Sequence, residues 1–306
     1  MTEIEHPAVR GQERTELEVL RRRARRRRFL VTMSKRLVIW IVIVLTLAPG
    51  WWVLVASVTK GDAFFSASVL PGEVTLDNYR AVINDTNFLD WIKNSLIVCT
   101  AVAGVSTIAC ALAAYAFSRL RFWGRRYGLM GMLIIQMFPV GIATAAYFYA
   151  LFRLGEWTNG KVGLDTHLGL ILVLAGGGVA FYAWLFKGYL DNLPRELEEA
   201  AFVDGASRLK TIWYVLFPLA RPIIAVIFLL LFIGTYSEYL LTSIILTDNT
   251  KWTLPLGLNG FIFNQFNQHW TQFAAAAVMG SIPLMVVFLL MQRYLVAGLA
   301  RGAVKG

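Results

Sequence analysis

Six blocks of nearly unbroken apolar sequence divide this chain, at residues 37–58, 94–117, 127–152, 168–186, 223–246 and 273–296. Each runs to about twenty residues or more, the length an α-helix needs to cross the roughly 30 Å hydrocarbon core of a bilayer. Inside that core the backbone must satisfy its own hydrogen bonds, so each block is expected to be helical. The expected fold is therefore all-α and integral to the membrane, with six transmembrane helices. Composition agrees, because 57% hydrophobic and 16% charged residues describe a chain too apolar for a soluble domain of 306 residues. The mean hydropathy of +0.59 says the same.

The charges that remain are segregated. Arg21, Arg22, Arg23, Arg25, Arg26, Arg27 and Arg28 stand directly before the first block. Read alone, such a run suits nucleic acid, but beside a membrane span it is better explained by orientation, since basic residues are retained on the cytoplasmic side of short loops. With the N-terminus inside, only Lys60, Arg80, Lys93, Arg153, Lys161 and Lys251 of the 29 Lys and Arg fall on the outer side. Both termini are thus expected in the cytoplasm, with no nucleic-acid partner. The first block is longer than a signal-peptide core and no Ala-x-Ala site follows it closely, so it reads as a retained anchor. The organisation expected is a tail over 1–36, a first span and outer segment over 37–93, a core over 94–296 and a C-terminal end over 297–306.

Several chemistries are disfavoured. Cys99 and Cys110 lie on one expected helix, roughly 16 Å apart along its axis, too far to pair. No HExxH, nucleophile elbow or paired catalytic carboxylates accompany a span, so neither catalytic nor metal-binding residues are assigned. No Walker A sequence is present either. Ion-coupled carriers place ionisable groups in the membrane, yet here only Glu238 lies well inside a block, with Arg293 near the end of the last. Energy for any transport is expected from outside the chain. Glu238, with its neighbours Tyr236 and Tyr239, has two open readings: a lining of a translocation path, or a structural hydrogen bond between helices.

The segment 187–218 has the grammar of two short helices. Pro194 suits a first helical position, Glu196, Glu198 and Glu199 favour the positive end of a helix dipole, and Gly205 is placed for a left-handed stop. Ser207 then suits the cap of a second helix running toward Pro218. A small helix with an apolar face, held at a turn between two spans, is a docking element for a soluble protein or a neighbouring loop.

Glu199, Ala200, Ala201, then Gly205, Val215, Phe217 and Pro218 resemble, in type and spacing, the EAA motif of binding-protein-dependent ABC importer permeases. Where Val215 and Phe217 stand the family has Ile and Leu, both apolar changes. Further likeness to the carbohydrate-type, maltose-like branch runs from Leu76, Asp77, Asn78 and Tyr79 to the closing Gly302, Ala303, Val304, Lys305 and Gly306, leaving the first 35 residues uncovered. The resemblance implies a non-catalytic permease subunit in a bacterial or archaeal cytoplasmic membrane. It implies a coupling helix near Pro194 to Val203, with Glu198, Glu199, Ala200, Ala201, Asp204, Gly205 and Pro218 at the contact with the ATPase. The implied partners are a second, different permease, two ATP-hydrolysing subunits that hold ATP and Mg, and an extracytoplasmic solute-binding protein. The chain itself is expected to carry no cofactor.

The implied cargo is a sugar, maltose or maltodextrin or a related oligosaccharide, with a polyol such as glycerol phosphate as the alternative; an autonomous secondary transporter is disfavoured. Residues 247–272 are polar and aromatic, including Trp252, Asn259, Gly260, Phe261, Asn264, Gln265, Asn267, Gln268 and Trp270. Planar hydrogen-bonding groups and aromatic faces suit sugars. By the resemblance, Gly257, Asn259, Gly260 and Phe261 are expected to reach toward the binding protein or the substrate; a solvated connector is the other reading.

Overall fold

The computed structural model describes residues 7–61, 73–262 and 269–303, almost all of them helical. It divides into two units at the boundary between Val55 and Ala56. The first holds all but the last three residues of one long helix, α1 (Pro7–Val58), whose apolar portion Arg28–Val58 is long enough to span a bilayer. Its Ile39, Trp40, Val44 and Leu45 are exposed, as suits a surface in lipid rather than in water.

The second unit begins with a short helix α2 (Asp77–Asp85), anchored where Asn78 Nδ2 donates to the carbonyls of Ser57 and Thr59. It continues into α3 (Phe88–Arg119), an unbroken 32-residue helix at the centre of the core. Buried Ala103, Ser106, Cys110, Ala111 and Ala114 give α3 a small-residue surface. Small side chains let helix backbones approach closely in a membrane, where polar contacts replace a hydrophobic drive. Accordingly Ser106 Oγ donates to the carbonyl of Ala175, 2.9 Å away. Both cysteines are buried and free.

The third, fourth and fifth expected spans are interrupted. The third block divides into α4 (Arg125–Ile135) and α5 (Val140–Trp157), because Pro139 has no N–H to continue the ladder and takes an extended backbone. The fourth is a pair, α6 (His167–Gly177) and α7 (Val179–Asp191), bent by 48° at Gly178. Gln136 bridges the two interruptions: its Nε2 donates to the carbonyl of Gly177 and its Oε1 accepts from the N–H of Phe181. The fifth block gives α11 (Arg221–Tyr236) and a short α12 (Leu240–Ile245), and the sixth gives α14 (Trp270–Ala303), which contains Pro283. Among the described residues, three helices are long and apolar enough to cross a membrane unbroken, and up to five when α6 with α7, and Arg208–Leu219 with α11 across an 81° bend, each count as one span.

The core forms where α3 packs on α7, α11 and α14, around Phe88, Phe186, Ile227 and Phe232. A second cluster joins α3 to α5, α6 and α12 through Val98, Val102, Leu151, Leu170 and Ile245. The helix common to both is α3.

Candidate coupling surface

Between α7 and α11 the chain leaves the apolar bundle. It turns at Asn192 and Leu193, whose N–H groups close back on Tyr189 and Leu190, and enters α8 (Glu196–Val203). The helix therefore opens two residues after Pro194, with the Arg195 carbonyl accepting from Glu198 and Glu199. Glu196, Glu198 and Glu199 occupy its first turn, where carboxylates favour the dipole. Gly205 ends the helix at φ +80°, a left-handed conformation that side chains rarely adopt. Ser207 caps the next helix, α9 (Arg208–Thr211), by accepting from the N–H of Lys210. A wide turn over Ile212–Leu216 follows, and α10 (Phe217–Leu219) leads into α11. Pro218 has no N–H for the carbonyl four residues back, and Phe217 donates to Ile212, five residues back.

The face of this platform is open. Glu199, Ala200, Asp204, Gly205 and Pro218 are exposed and Ala201 is half-buried. Leu197, Phe202, Val203, Leu209, Trp213 and Tyr214 present large apolar surface beside them. Clustered exposed apolar side chains rimmed by charge are the kind of surface that a protein or a membrane covers.

Glu198 departs from the expectation. It is the one residue of α8 that is buried, and its Oε1 accepts from Arg119 Nε at 2.5 Å, with each side chain only 6% exposed. A second nitrogen of Arg119 donates to the carbonyl of Leu193. Removing one partner of such a buried pair strands the other charge, at a cost of about 3–5 kcal/mol. Two adjacent glutamates thus face opposite ways: Glu199 outward, Glu198 into the fold. Arg119, which falls among the Lys and Arg left on the inner side by the charge count, is the residue that sequence reasoning missed. With 79 positions between the partners, no local pattern connects them.

The residues expected around Glu238 do not converge on one polar site. Glu238 lies not within a continuous helix but at the break between α11 and α12, where its Oε1 accepts from the N–H of Leu241 and caps the new helix. Tyr236 is buried and donates to the carbonyl of Gly280 on α14. Tyr239 donates to Asn259. The helix break is held by local hydrogen bonds, Leu241 N–H to the Glu238 carboxylate and Thr242 to the Glu238 carbonyl, that hydropathy does not register.

At the end of the bundle opposite α8, Thr253, Leu254, Leu256, Gly257 and Phe261 pack inward. Gly257, in α13 (Leu254–Asn259), lies so close to Trp91 that an added Cβ would meet the indole at 2.1 Å, and Phe261 is buried. Gly257 and Phe261 are therefore parts of the wall, a correction to the outward reach expected of them; Gly260 is exposed. With Asn249 and Trp252 they border an open cavity of about 620 Å³. Asn264, Gln265, Asn267 and Gln268 lie outside the described residues.

The same end is closed by a polar clasp. Asp165 accepts from Lys251 Nζ at 2.8 Å and from the N–H groups of Thr247 and Asp248. Burial works against its ionisation, but these hydrogen bonds outweigh it and hold the carboxyl at about 2, below the ordinary 3.8. A depressed carboxyl stabilises the fold above its unfolded pKa, and that contribution drains away as pH falls from about 4 through about 2. Lys251 is 41% exposed, so solvent screening keeps the effect near 1 kcal/mol or below. Between pH 5 and 2 the thermal midpoint of the detergent-solubilised protein is expected to fall further than that of Asp165→Asn.

These features together define an all-helical chain with membrane-length apolar helices and an exposed apolar and acidic face at α8. Residues 106–301 match the family described as binding-protein-dependent transport system inner membrane component. The chain belongs to that family. It is 39% identical over 276 residues to the maltose/maltodextrin transport system permease protein MalG of Escherichia coli K12, covering 84% of this chain and 90% of the relative. It is 36% identical over 235 residues to the maltodextrin transport system permease protein MdxG of Bacillus subtilis, covering 77% and 82%. A chain from a bacterial ABC transporter involved in import of the acidic polysaccharide alginate superposes with a TM-score of 0.72. It has 24% identity and covers 87% of this chain and 96% of that one, a likeness of fold.

Proposed function

We propose that this chain is a permease subunit of a bacterial ABC importer for maltose and maltodextrins, non-catalytic itself and driven by ATP hydrolysis on a partner. The observation that carries the cargo is the 36–39% identity, over most of the chain, to maltose and maltodextrin permeases. The open face of α8, with Glu199 outward among exposed apolar residues, supports the mechanism.

In this reading the chain crosses the membrane six times, the interrupted blocks counting as spans, with both termini in the cytoplasm. The tail 1–36, the first span and outer segment 37–93, the core 94–296 and the end 297–306 are its parts. A second, different permease completes the pathway, two ATP-hydrolysing subunits hold ATP and Mg, and an extracytoplasmic binding protein delivers the sugar. Glu199 meets a basic residue of the ATPase, and closure of that partner moves α8 as a rigid body.

The test is uptake of labelled maltose by cells whose only copy is Glu199→Ala. Loss of one charge-assisted contact, about 1.5–3 kcal/mol, is expected to lower uptake about tenfold or more while the chain stays in the membrane. Normal uptake with normal ATPase co-purification would refute the docking role.

A further inference from the structure

Within the second unit, interruptions set α3 apart. The block at α4–α5 is broken at Pro139, α6–α7 bends by 48°, α11 stops at Tyr236 before α12 starts at Leu240, and α14, though continuous, carries Pro283. By contrast α3 runs 32 residues without a break or a proline, about 48 Å at 1.5 Å per residue. A broken helix absorbs displacement at its hinge, whereas a continuous one passes it on.

Both ends of α3 are clamped by polar bonds. At one end Arg119, its last residue, holds the buried Glu198 of α8 and the carbonyl of Leu193. At the other, Trp91 Nε1 donates to Asn249, and Asn94 Nδ2 donates to the carbonyls of Thr250 and Trp252. Ser95 Oγ accepts from the N–H of Leu254, 2.7 Å away. Asn94 and Ser95 are buried, where an unmade hydrogen bond is costly. The segment 249–254, so held, leads directly into the residues that face the opposite side of the bundle from α8.

We propose that α3 is the strut that couples the two partner sites, with Arg119 and Glu198 as positioning residues at the ATPase end and Asn94 at the binding-protein end. This inference rests on the importer reading above. Seating of the ATPase on α8 displaces Glu198, Arg119 carries the displacement into α3, and Asn94 delivers it to residues 249–254. Because linkage is reciprocal, docking of the binding protein reaches the ATPase by the same path.

The experiment uses the assembled complex in lipid vesicles, with its binding protein and maltose. Its readouts are basal ATP hydrolysis and the factor by which the loaded binding protein stimulates it. Arg119→Lys, which keeps the buried charge pair but not the guanidinium geometry, and Asn94→Leu are each expected to retain the basal rate and to lose about tenfold of the stimulation. The double variant Arg119→Lys with Asn94→Leu is expected to be no worse than the single ones, because the two clamps act in series. The charge-reversed pair Arg119→Glu with Glu198→Arg, which again pairs the two buried charges, is expected to keep part of the stimulation. A merely structural role predicts instead that basal and stimulated rates fall together with the yield of complex. That result overturns the strut, as does a double variant whose losses multiply, or full stimulation in the single variants. A wild-type complex that the binding protein does not stimulate overturns the importer reading and the strut with it.

Discussion

Gly205→Val is expected to lower ATP-driven maltose uptake about tenfold or more while the chain still reaches the membrane. The residue stands at φ +80° with open space where a Cβ would go, so the defect arises from backbone strain and not from collision. A β-branched residue in the left-handed region costs about 1–2 kcal/mol, a factor of roughly ten. That cost falls on an eight-residue helix that could not stand alone in water. Gly205 N–H meets the carbonyl of Phe202, and Ala206 N–H meets that of Ala201. Losing this turn frees the end of α8 and misplaces the Ser207 cap of α9, so the docking face loses its shape. The series Asn, Ala, Val at position 205 separates the causes: Asn tolerates left-handed backbone and is expected to retain most uptake, Ala less, Val least. Equal activity across the series would show that the turn does not shape the platform.

Gly257→Ala is expected to act through folding. Its Cβ would lie 2.1 Å from the Trp91 ring, and Trp91 cannot give way freely. Its indole N–H is held by Asn249, and its ring packs against Trp252 and edge-on to Phe261. Forcing one extra carbon into so fixed a site costs about 1–3 kcal/mol or more. The expected readouts are a lower thermal midpoint in detergent and a reduced yield of folded protein. Coupling the change to Trp91→Leu opens space for the new methyl group. The double variant is therefore expected to lie above the sum of the two single losses, as neighbours sharing a cavity do. Strict additivity would mean that the two residues do not meet.

These two glycines mark how far sequence reading reaches. Gly205 was legible, since a glycine after a short run of helix formers and before Ser207 fits a left-handed stop whatever surrounds it. Gly257 was not. In sequence it belongs to a polar, aromatic stretch that reads as an outward loop. What turns it inward is Trp91, more than 160 positions away.

The same division runs through the platform. Local signals sufficed for the existence of α8 and the Ser207 cap, because caps, dipoles and turns are decided within a few residues. They did not separate Glu199 from Glu198, identical side chains in adjacent positions. That distinction belongs to Arg119, which arrives at the end of a different helix.

The apolar blocks come from composition along the chain, since transfer into lipid is a property each segment has alone. The interruptions, the inward turn of Glu198 and the two clamps on α3 come from assembly. Two such features are satisfied by a distant residue: Gln136 for the backbone beside Gly178, and Arg119 for Glu198. Hydropathy sums over neighbours in sequence, whereas hydrogen bonds are counted between neighbours in space.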